Sequence, residues 1–187
     1  MIRAIVACDP TGLIGAGGAI LWHYPADFAH FKARTMGGVC VMGRRTFESI
    51  PPLRSGEVLP GRRVIVLTRA DAGEFHRDLK PGNVGCAPSL RVAIDDADEE
   101  PSADVWICGG ASVYVEAARL GLFDEIDITE VPRVDGVSWT TPGAVTWWPW
   151  HAGPFEAVPP SEVEQPAGFA EAGLRRCVLR RAERTGR

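Results

Sequence analysis

The chain has 187 residues, of which 45% are hydrophobic and 24% charged, a profile typical of one globular domain spanning residues 1–187 and too short for two. Its net charge of −4 argues against a nucleic-acid partner, because nucleic-acid-binding surfaces are normally basic. Five scattered cysteines without zinc spacing, and no run of about 18 apolar residues, predict reduced thiols, no metal, no membrane segment and a cytoplasmic location.

The charge is concentrated in one stretch. Residues 44–69 contain six arginines and two glutamates, a net +4 against −8 for the rest of the chain. An acidic protein with one basic stretch is consistent with a site for an anionic ligand. It is equally consistent with a solvated arginine-rich surface, and the count alone leaves both open.

The first elements alternate between strand and helix. Ile2–Cys8 is an almost continuous apolar run followed by a turn sequence, which predicts a central buried strand. The glycine-rich segment 12–23 has no period and predicts a flexible loop beside a functional site. A proline in the first turn and the spacing of Phe28 and Phe31 predict a helix over 25–35.

Two later strands each pass through glycine into a helix. Val39–Met42 leads into Gly43-Arg44-Arg45-Thr46, and Val105–Cys108 leads into Gly109-Gly110-Ala111-Ser112. Such junctions direct unpaired backbone N–H groups and the helix dipole toward a phosphate. Ligands of α/β sheets lie at the carboxyl ends of strands, so the two junctions are expected to form two sides of one site.

The remaining pattern completes an α/β domain with helices on both faces of a sheet. Helices are predicted to about Ile50 and over 111–120. Strands are predicted over Arg63–Thr68, Phe123–Val131 and 173–181. Residues 132–171 are rich in Pro, Gly and Trp and predict a long irregular surface segment.

Two polar residues stand out as candidates for chemistry. Asp27 opens the predicted helix beside Phe28 and Phe31, which places a carboxylate at the wall of an apolar pocket where its pKa can be tuned. An aspartate favoured by the helix dipole explains the same position. Arg62 follows a Leu59-Pro60-Gly61 turn and is suited to binding a carboxylate through two hydrogen bonds, or to lying exposed on the surface.

Several motifs recur together in a familiar order. They are Ile14-Gly15, Trp22, Pro25-Ala26-Asp27, Phe31-Lys32, the segment 41–50, the segment 59–63, Ile107-Cys108-Gly109-Gly110, Val113-Tyr114 and Thr129-Glu130. In this order the chain resembles the bacterial chromosomal type of dihydrofolate reductase over residues 1–131, and more loosely at Gly173-Leu174-Arg175. The resemblance implies a single-domain fold with a central, mostly parallel mixed sheet of about eight strands.

The resemblance also implies NADPH as cofactor. Thr68 and Arg69 would contact the adenosine 2′-phosphate, which would give the basic stretch its purpose. The full set of implied cofactor contacts is Ala7, Ile14, Gly15, Gly43, Arg44, Arg45, Thr46, Leu67, Thr68, Arg69, Gly109, Gly110, Ala111, Ser112, Val113 and Tyr114.

The implied substrate is dihydrofolate, bound in an apolar slot that would also take antifolate inhibitors. Asp27 would accept hydrogen bonds from the pteridine ring, helped by Thr129 and, through water, by Trp22, and these three are the implied catalytic residues. Arg62 would bind the α-carboxylate of the glutamate tail. The implied substrate contacts are Ile5, Ala7, Asp27, Phe28, Phe31, Lys32, Ile50, Leu59, Arg62, Cys108, Tyr114 and Thr129.

In the implied reaction a hydride passes from nicotinamide C4 to pterin C6 while N5 gains a proton from water, and the loop 12–23 closes over the site. Tetrahydrofolate from this reaction would serve one-carbon metabolism and thymidylate, purine and amino-acid synthesis. We expect a monomer.

Two other hypotheses stay open: the related pyrimidine reductase of riboflavin synthesis, and a non-catalytic folate- or nucleotide-binding relative. The presence of both Trp22 and Asp27 disfavours each. The chain departs from the family at Leu21, where a proline is usual, at Ala111, the third residue of a usual glycine triplet, and at Val137, where many members carry an aspartate that holds the loop closed.

Overall fold

The computed structural model describes residues 1–51, 57–69, 82–98, 103–137, 143–146 and 155–182. The strands are β1 (Ile2–Cys8), β2 (Leu13–Ala16), β3 (Val39–Gly43), β4 (Arg63–Leu67), β5 (Val84–Ala87), β6 (Val105–Ile107), β7 (Glu125–Glu130), β8 (Ala144–Thr146), β9 (Phe155–Ala157) and β10 (Arg175–Arg181). The helices are α1 (Pro25–Thr35), α2 (Arg44–Glu48), α3 (Leu90–Ala97) and α4 (Ala111–Arg119), with one short 3₁₀ turn at Pro160–Glu162.

Eight strands form one mixed sheet in the order β5-β4-β3-β6-β1-β7-β10-β9. The six strands from β5 to β7 run parallel, whereas β10 is antiparallel to both β7 and β9. Strand β1 lies between β6 and β7, which is the central position expected from its apolar sequence. The predicted α/β fold with a mostly parallel sheet of about eight strands is confirmed.

Apolar side chains on both faces of the sheet are covered by helices. Val41 on β3 belongs to the core that includes Leu90 of α3. Met42, the next residue, points to the opposite layer, where it packs with Phe47 of α2 and Phe31 of α1. Because successive strand residues face opposite sides, an uninterrupted apolar strand such as β3 has to be buried on both.

The structure contains several elements that were not predicted, among them β5, α3 and the short strands β2, β8 and β9. Part of the segment 12–23, predicted as a loop, forms β2, which pairs with β8 in a separate two-stranded sheet. Within 132–171, predicted as irregular, β9 joins the edge of the main sheet beside β10. These strands have only three or four residues, and their pairing partners are distant in sequence, so no local period announces them.

Two further predictions concern reduced cysteines and the absence of a membrane segment. All five cysteines are free thiols, with Cys8 and Cys40 buried and Cys86, Cys108 and Cys177 partly so. In the part of the chain that the structure describes, no helix has the length and apolar character needed to cross a membrane.

Candidate active site

A cavity of about 1160 Å³ lies along the carboxyl ends of the parallel strands. Most residues that the sequence singled out line it: Ile5, Ala7, Ile14, Gly15, Trp22, Asp27, Phe28, Phe31, Gly43, Arg44, Arg45, Thr46, Ile50, Leu59, Leu67, Thr68, Arg69, Cys108, Gly109, Gly110, Ala111, Ser112, Val113 and Tyr114. Lys32, Arg62 and Thr129 do not line it. The cavity therefore brings together two sets of residues that were predicted separately, one for a cofactor and one for a substrate.

The two strand–glycine–helix junctions meet directly. The Gly43 amide donates to the Gly109 carbonyl over 2.7 Å, because β3 and β6 are neighbours in the sheet. A Cβ atom at Gly43 would lie 3.3 Å from Val113 Cγ2, and one at Gly110 would lie 3.2 Å from the Thr46 hydroxyl. Glycine at both junctions keeps the backbone open for close approach.

Tyr114 packs against this junction and connects it to β1. Its hydroxyl donates to the Ile5 carbonyl over 2.7 Å, which ties α4 to the central strand β1. A Cβ atom at Gly109, where φ is +108°, would meet the Tyr114 ring at 3.2 Å. Burial raises the pKa of the Tyr114 phenol well above its ordinary value, so the ring stays neutral and acts as a fixed hydrogen-bond donor.

Asp27 sits in the first turn of α1, where a carboxylate also interacts favourably with the helix dipole. Burial raises its pKa above the ordinary value, while the hydrogen bond with Thr129 and the charge of His30 oppose the shift. Phe28 and Phe31 line the cavity beside it. A carboxylate held at an apolar wall is a strong partner for a protonated ring nitrogen.

The opposite part of the cavity is basic. Arg45 and Arg69 both line it and are exposed. Arg44 also lines it, and its Nε donates to Glu48 one helical turn away over 2.6 Å. The buried Thr68, which directly follows β4, lines the cavity as well. Cations and hydroxyls at the end of a glycine-rich cavity are the donors that bind phosphate.

Arg63, another arginine of the basic stretch, has a partner outside the cavity. Arg63 forms an ion pair with Asp96 of α3 at 2.8 Å, so it fastens a helix to the sheet rather than lying exposed in solvent. Arg54 lies outside the described residues.

Arg62 is buried, with 6% of its surface exposed, so the alternative of an exposed surface arginine is wrong. Its NH1 donates to the Thr35 hydroxyl over 3.2 Å, its Nε donates to the Pro60 carbonyl over 3.3 Å, and its guanidinium lies 5.8 Å from the centre of the Phe31 ring. Burial lowers its pKa. It lies behind Phe31, next to the cavity rather than in its lining.

The loop 12–23 covers one side of the cavity and is fixed at two points. Asp9 accepts hydrogen bonds from the amides of Thr11 and Leu13 at 2.8 and 3.0 Å, which shapes the start of the loop. Further on, the Gly17 amide donates to the Gly143 carbonyl over 2.9 Å, beside the β2–β8 pairing. Backbone pairing to β8 therefore ties down the loop in a chain that carries Val137 where an aspartate is usual in the resembled family.

Sequence reasoning missed several residues that line the cavity: Met42, Ser49, Pro88, Ser89, Leu90, Glu116 and Gly143. Of these, Ser89 carries a signal, because serine before an apolar period is a typical helix cap and its hydroxyl accepts from the Val92 amide at 3.3 Å. Gly143 reaches the cavity only through long-range pairing, which no local pattern reveals.

Known proteins share this sequence pattern. The family model described as "Dihydrofolate reductase" matches residues 1–151. A protein named dihydrofolate reductase from Neisseria meningitidis serogroup A is 37% identical over 148 residues, which cover 74% of this chain and 83% of that protein. One with the same name from Mycobacterium tuberculosis strain H37Rv is 37% identical over 131 residues, covering 70% and 71%.

A third relative, dihydrofolate reductase type 3 of Salmonella typhimurium, is 42% identical over 120 residues, covering 63% of this chain and 64% of that protein. The match to the family model extends over most of the chain and includes both glycine junctions and Asp27. The chain therefore belongs to the dihydrofolate reductase family and is an oxidoreductase.

Proposed function

We propose that this enzyme reduces 7,8-dihydrofolate to 5,6,7,8-tetrahydrofolate with NADPH as the hydride donor. The observation that carries the proposal is the position of Asp27, a carboxylate half-buried among aromatic side chains at one end of a cavity whose other end is basic and rich in glycine. One end suits a cationic heterocycle and the other a phosphorylated cofactor.

The residues present fit a phosphorylated dinucleotide. The backbone around Gly43 and Gly110 leaves room that a Cβ atom would fill. Arg45 and Arg69 offer charges to phosphate groups, and Thr68 offers a hydroxyl. When bound, the cofactor supplies the hydride, while the chain holds its phosphates through these groups and through the backbone of the segment 109–112.

Substrate binding rests on opposite charges at the two ends of a folate molecule. Asp27 is suited to accept hydrogen bonds from the amino group and the ring N–H of a pteridine. The Arg62 guanidinium is held by the Pro60 carbonyl and the Thr35 hydroxyl, and it is suited to bind the α-carboxylate of the glutamate tail. Phe31 lies between them and provides an apolar surface for the aromatic part of the substrate.

Asp27 assists the chemistry by favouring a positive charge on the substrate ring. Hydride transfer to C6 becomes easier when N5 is protonated, and an ionised carboxylate nearby stabilises that protonated ring. The Thr129 hydroxyl bonds to Asp27 and keeps the carboxylate oriented. The loop 12–23, anchored by β8, excludes bulk water, which strengthens this electrostatic effect.

The proposal includes a cellular role. In this role tetrahydrofolate supplies one-carbon metabolism in the cytoplasm, and the enzyme acts as a monomer on small molecules, without nucleic-acid or membrane partners. Antifolate inhibitors with a diaminopyrimidine ring are expected to bind at Asp27.

A turnover assay tests the proposal. Purified protein is mixed with dihydrofolate and NADPH, and oxidation of NADPH is followed by its absorbance. Parallel reactions contain NADH in place of NADPH, or the pyrimidine substrate of riboflavin synthesis in place of dihydrofolate. Turnover with dihydrofolate and NADPH supports the proposal. Folded protein that binds methotrexate without turnover would identify a non-catalytic relative, and turnover only with the pyrimidine would identify the riboflavin enzyme.

A further inference from the structure

A buried ionic cluster lies directly behind the candidate catalytic carboxylate. Helix α1 places Asp27, His30 and Arg34 on one face, because residues three and four positions apart are neighbours on a helix. His30 is 6% exposed, and its ring meets Phe169 edge-on at 5.4 Å. This face of α1 is turned toward the sheet, where His30 and Arg34 meet charged side chains of β7.

The sheet presents a matching row of polar residues. Glu125, Asp127 and Thr129 alternate along β7 and therefore share one face. Asp127 is fully buried, and the side chains that contact its carboxylate are polar or charged. Its two carboxylate oxygens accept from Arg176 at 2.9 and 2.7 Å and from Arg34 at 2.8 Å, with His30 Nε2 at 3.2 Å.

This cluster reaches Asp27 by two routes. His30 lies one helical turn after Asp27, and Thr129, which bonds to Asp27, lies two residues after Asp127 on β7. The charge of Asp127 adds to burial in raising the pKa of Asp27, whereas the charge of His30 lowers it. Thr129 and His30, the two neighbours of Asp27, are therefore held in place by β7 and by the contact between His30 and Asp127. The same residues contribute to the electric field around the Asp27 carboxylate.

We propose that His30 and Asp127, held by Arg34 and Arg176, form a positioning unit that fixes the orientation of the Asp27 carboxylate and the electrostatic environment around it. The proposal rests on the role of Asp27 proposed above. None of the four residues lines the cavity, so they act on the substrate only through Asp27.

The field at Asp27 has contributions from every element around it. The charged and titratable groups gathered there are His30 and Arg34 on α1, Asp127 and Glu125 on β7, Arg176 and Arg180 on β10, Arg3 on β1 and Tyr114 on α4. Glu125 is shared by Arg34, Arg180 and Arg3, so its charge is balanced at the outer end of the cluster. The inner end, formed by His30 and Asp127, is the part whose charge acts on Asp27.

Variants that remove a positive or a negative charge from the cluster distinguish an effect on the pKa of Asp27 from simple anchoring of α1. His30→Gln removes the His30 charge that lowers the pKa of Asp27, and Arg176→Gln leaves Asp127 with one fewer cationic partner, so both should make Asp27 harder to ionise. Asp127→Asn leaves Arg34 and Arg176 unbalanced and should make Asp27 easier to ionise. If the cluster only anchored α1, these substitutions would not shift the pKa of Asp27 in opposite directions.

The direct measurement is a carbon-13 NMR titration of the carboxyl groups in the free protein labelled at aspartate, with Asp27→Asn used to assign the Asp27 resonance. We expect the titration midpoint to move up in His30→Gln and Arg176→Gln and down in Asp127→Asn, each by about 1 pH unit. Arg175→Gln is the matched control, since it removes the neighbouring ion pair with Glu130, at 2.8 Å, on the other face of β10. This control should leave the midpoint unchanged.

Midpoints that stay in place, or that move in the same direction in all three variants, would overturn the proposal and leave the cluster as an anchor for α1. If Asp127→Asn does not fold, upward shifts in His30→Gln and Arg176→Gln with an unchanged midpoint in Arg175→Gln support the proposal, and unchanged midpoints in the first two overturn it. Because the titration uses protein without substrate, its outcome is independent of turnover. Loss of the proposed function would appear instead as wild-type protein that fails to oxidise NADPH with dihydrofolate.

Discussion

The amide of Gly17 donates to the carbonyl of Gly143 over 2.9 Å and so joins the loop over the cavity to a segment near the other end of the chain. Gly143 adopts φ +77°, and a Cβ atom added there would lie 3.2 Å from the Gly17 nitrogen. A side chain at this position is therefore strained twice, by its own backbone and by the loop.

We expect Gly143→Ala to loosen the loop 12–23 and to raise KM for dihydrofolate and for NADPH. The effect on KM should exceed the effect on the free energy of unfolding. Gly136→Ala is the matched control, since Gly136 also has a positive φ of +72° but, among the described residues, no atom within 4 Å of an added Cβ. Steady-state kinetics of both variants test this. Equal effects of the two substitutions would show that strain, and not contact with the loop, is responsible.

Asp27→Asn should separate activity from stability. The carboxamide cannot stabilise a protonated ring, so most activity at neutral pH is lost, while cofactor binding is retained. The folded state raises the pKa of Asp27 through burial, and a raised carboxyl pKa favours folding only at pH values below it. At neutral pH the ionised group therefore costs stability, and the variant should melt at a higher temperature. Calorimetry together with NADPH oxidation tests both halves, and near-normal turnover would contradict the assigned role.

Arg62→Ala should weaken folate binding by about 1.5–3 kcal/mol, the contribution of a hydrogen bond to a charged group. The loss should disappear for a pteridine substrate without a glutamate tail, because that molecule has no carboxylate to bind. Arg62→Lys keeps the charge but not the paired donors and should lie between the two. Titration of both ligands into the three proteins tests this, and an equal loss for both ligands would indicate that Arg62 only supports Phe31.

Cofactor choice should depend on Arg69. If this exposed residue binds the 2′-phosphate, Arg69→Gln raises KM for NADPH by about tenfold or more, equivalent to roughly 1.4 kcal/mol, and leaves KM for NADH unchanged. Arg91→Gln removes an exposed arginine that does not line the cavity and serves as control. A parallel loss with both cofactors would assign Arg69 to another part of the molecule.

Acid should unfold the protein partly through Asp127. Burial alone would raise its pKa, but hydrogen bonds with His30 and Arg176 outweigh burial and hold the pKa well below the ordinary value. A depressed carboxyl pKa contributes stability that is complete above about pH 4, the unfolded value, and is lost as pH falls toward the folded one. Urea unfolding at a series of pH values should show this loss in wild type. Arg176→Gln should be less stable near neutrality by about 2 kcal/mol and less sensitive to acid.

The sequence predicted β1, β3, α1 and the two glycine junctions because their signals are local, whereas β5 and α3 were not predicted. The apolar runs of β1 and β3 and the period of α1 each lie within a few residues. The pairing of β2 with β8 and the edge strand β9 depend on residues far apart in sequence. The sequence pattern also does not indicate which arginines are buried. Only the tertiary structure shows that Arg62 is buried and Arg69 exposed.

Asp127 illustrates the same limit for the site. A lone aspartate in the alternating segment Glu125–Glu130 predicts only a polar position on one face of a strand. Its partners Arg34 and Arg176 come from a helix and from the last strand, and neither stands near it in the sequence. Sequence patterns found the carboxylate that touches the cavity, whereas the one behind it required the fold.

The position of β1 has a consequence for how the chain reaches its folded state. The first strand finds its partners late, since Ile2 pairs with Val105 and Cys8 with Glu130. During synthesis on a ribosome, this apolar strand has no sheet to join until most of the chain has emerged. Sheets built from such distant pairs form slowly, because the ends of a long loop must meet before any contact is gained. The apolar β1 of the nascent enzyme is therefore expected to stay unpaired until β6 and β7 have emerged.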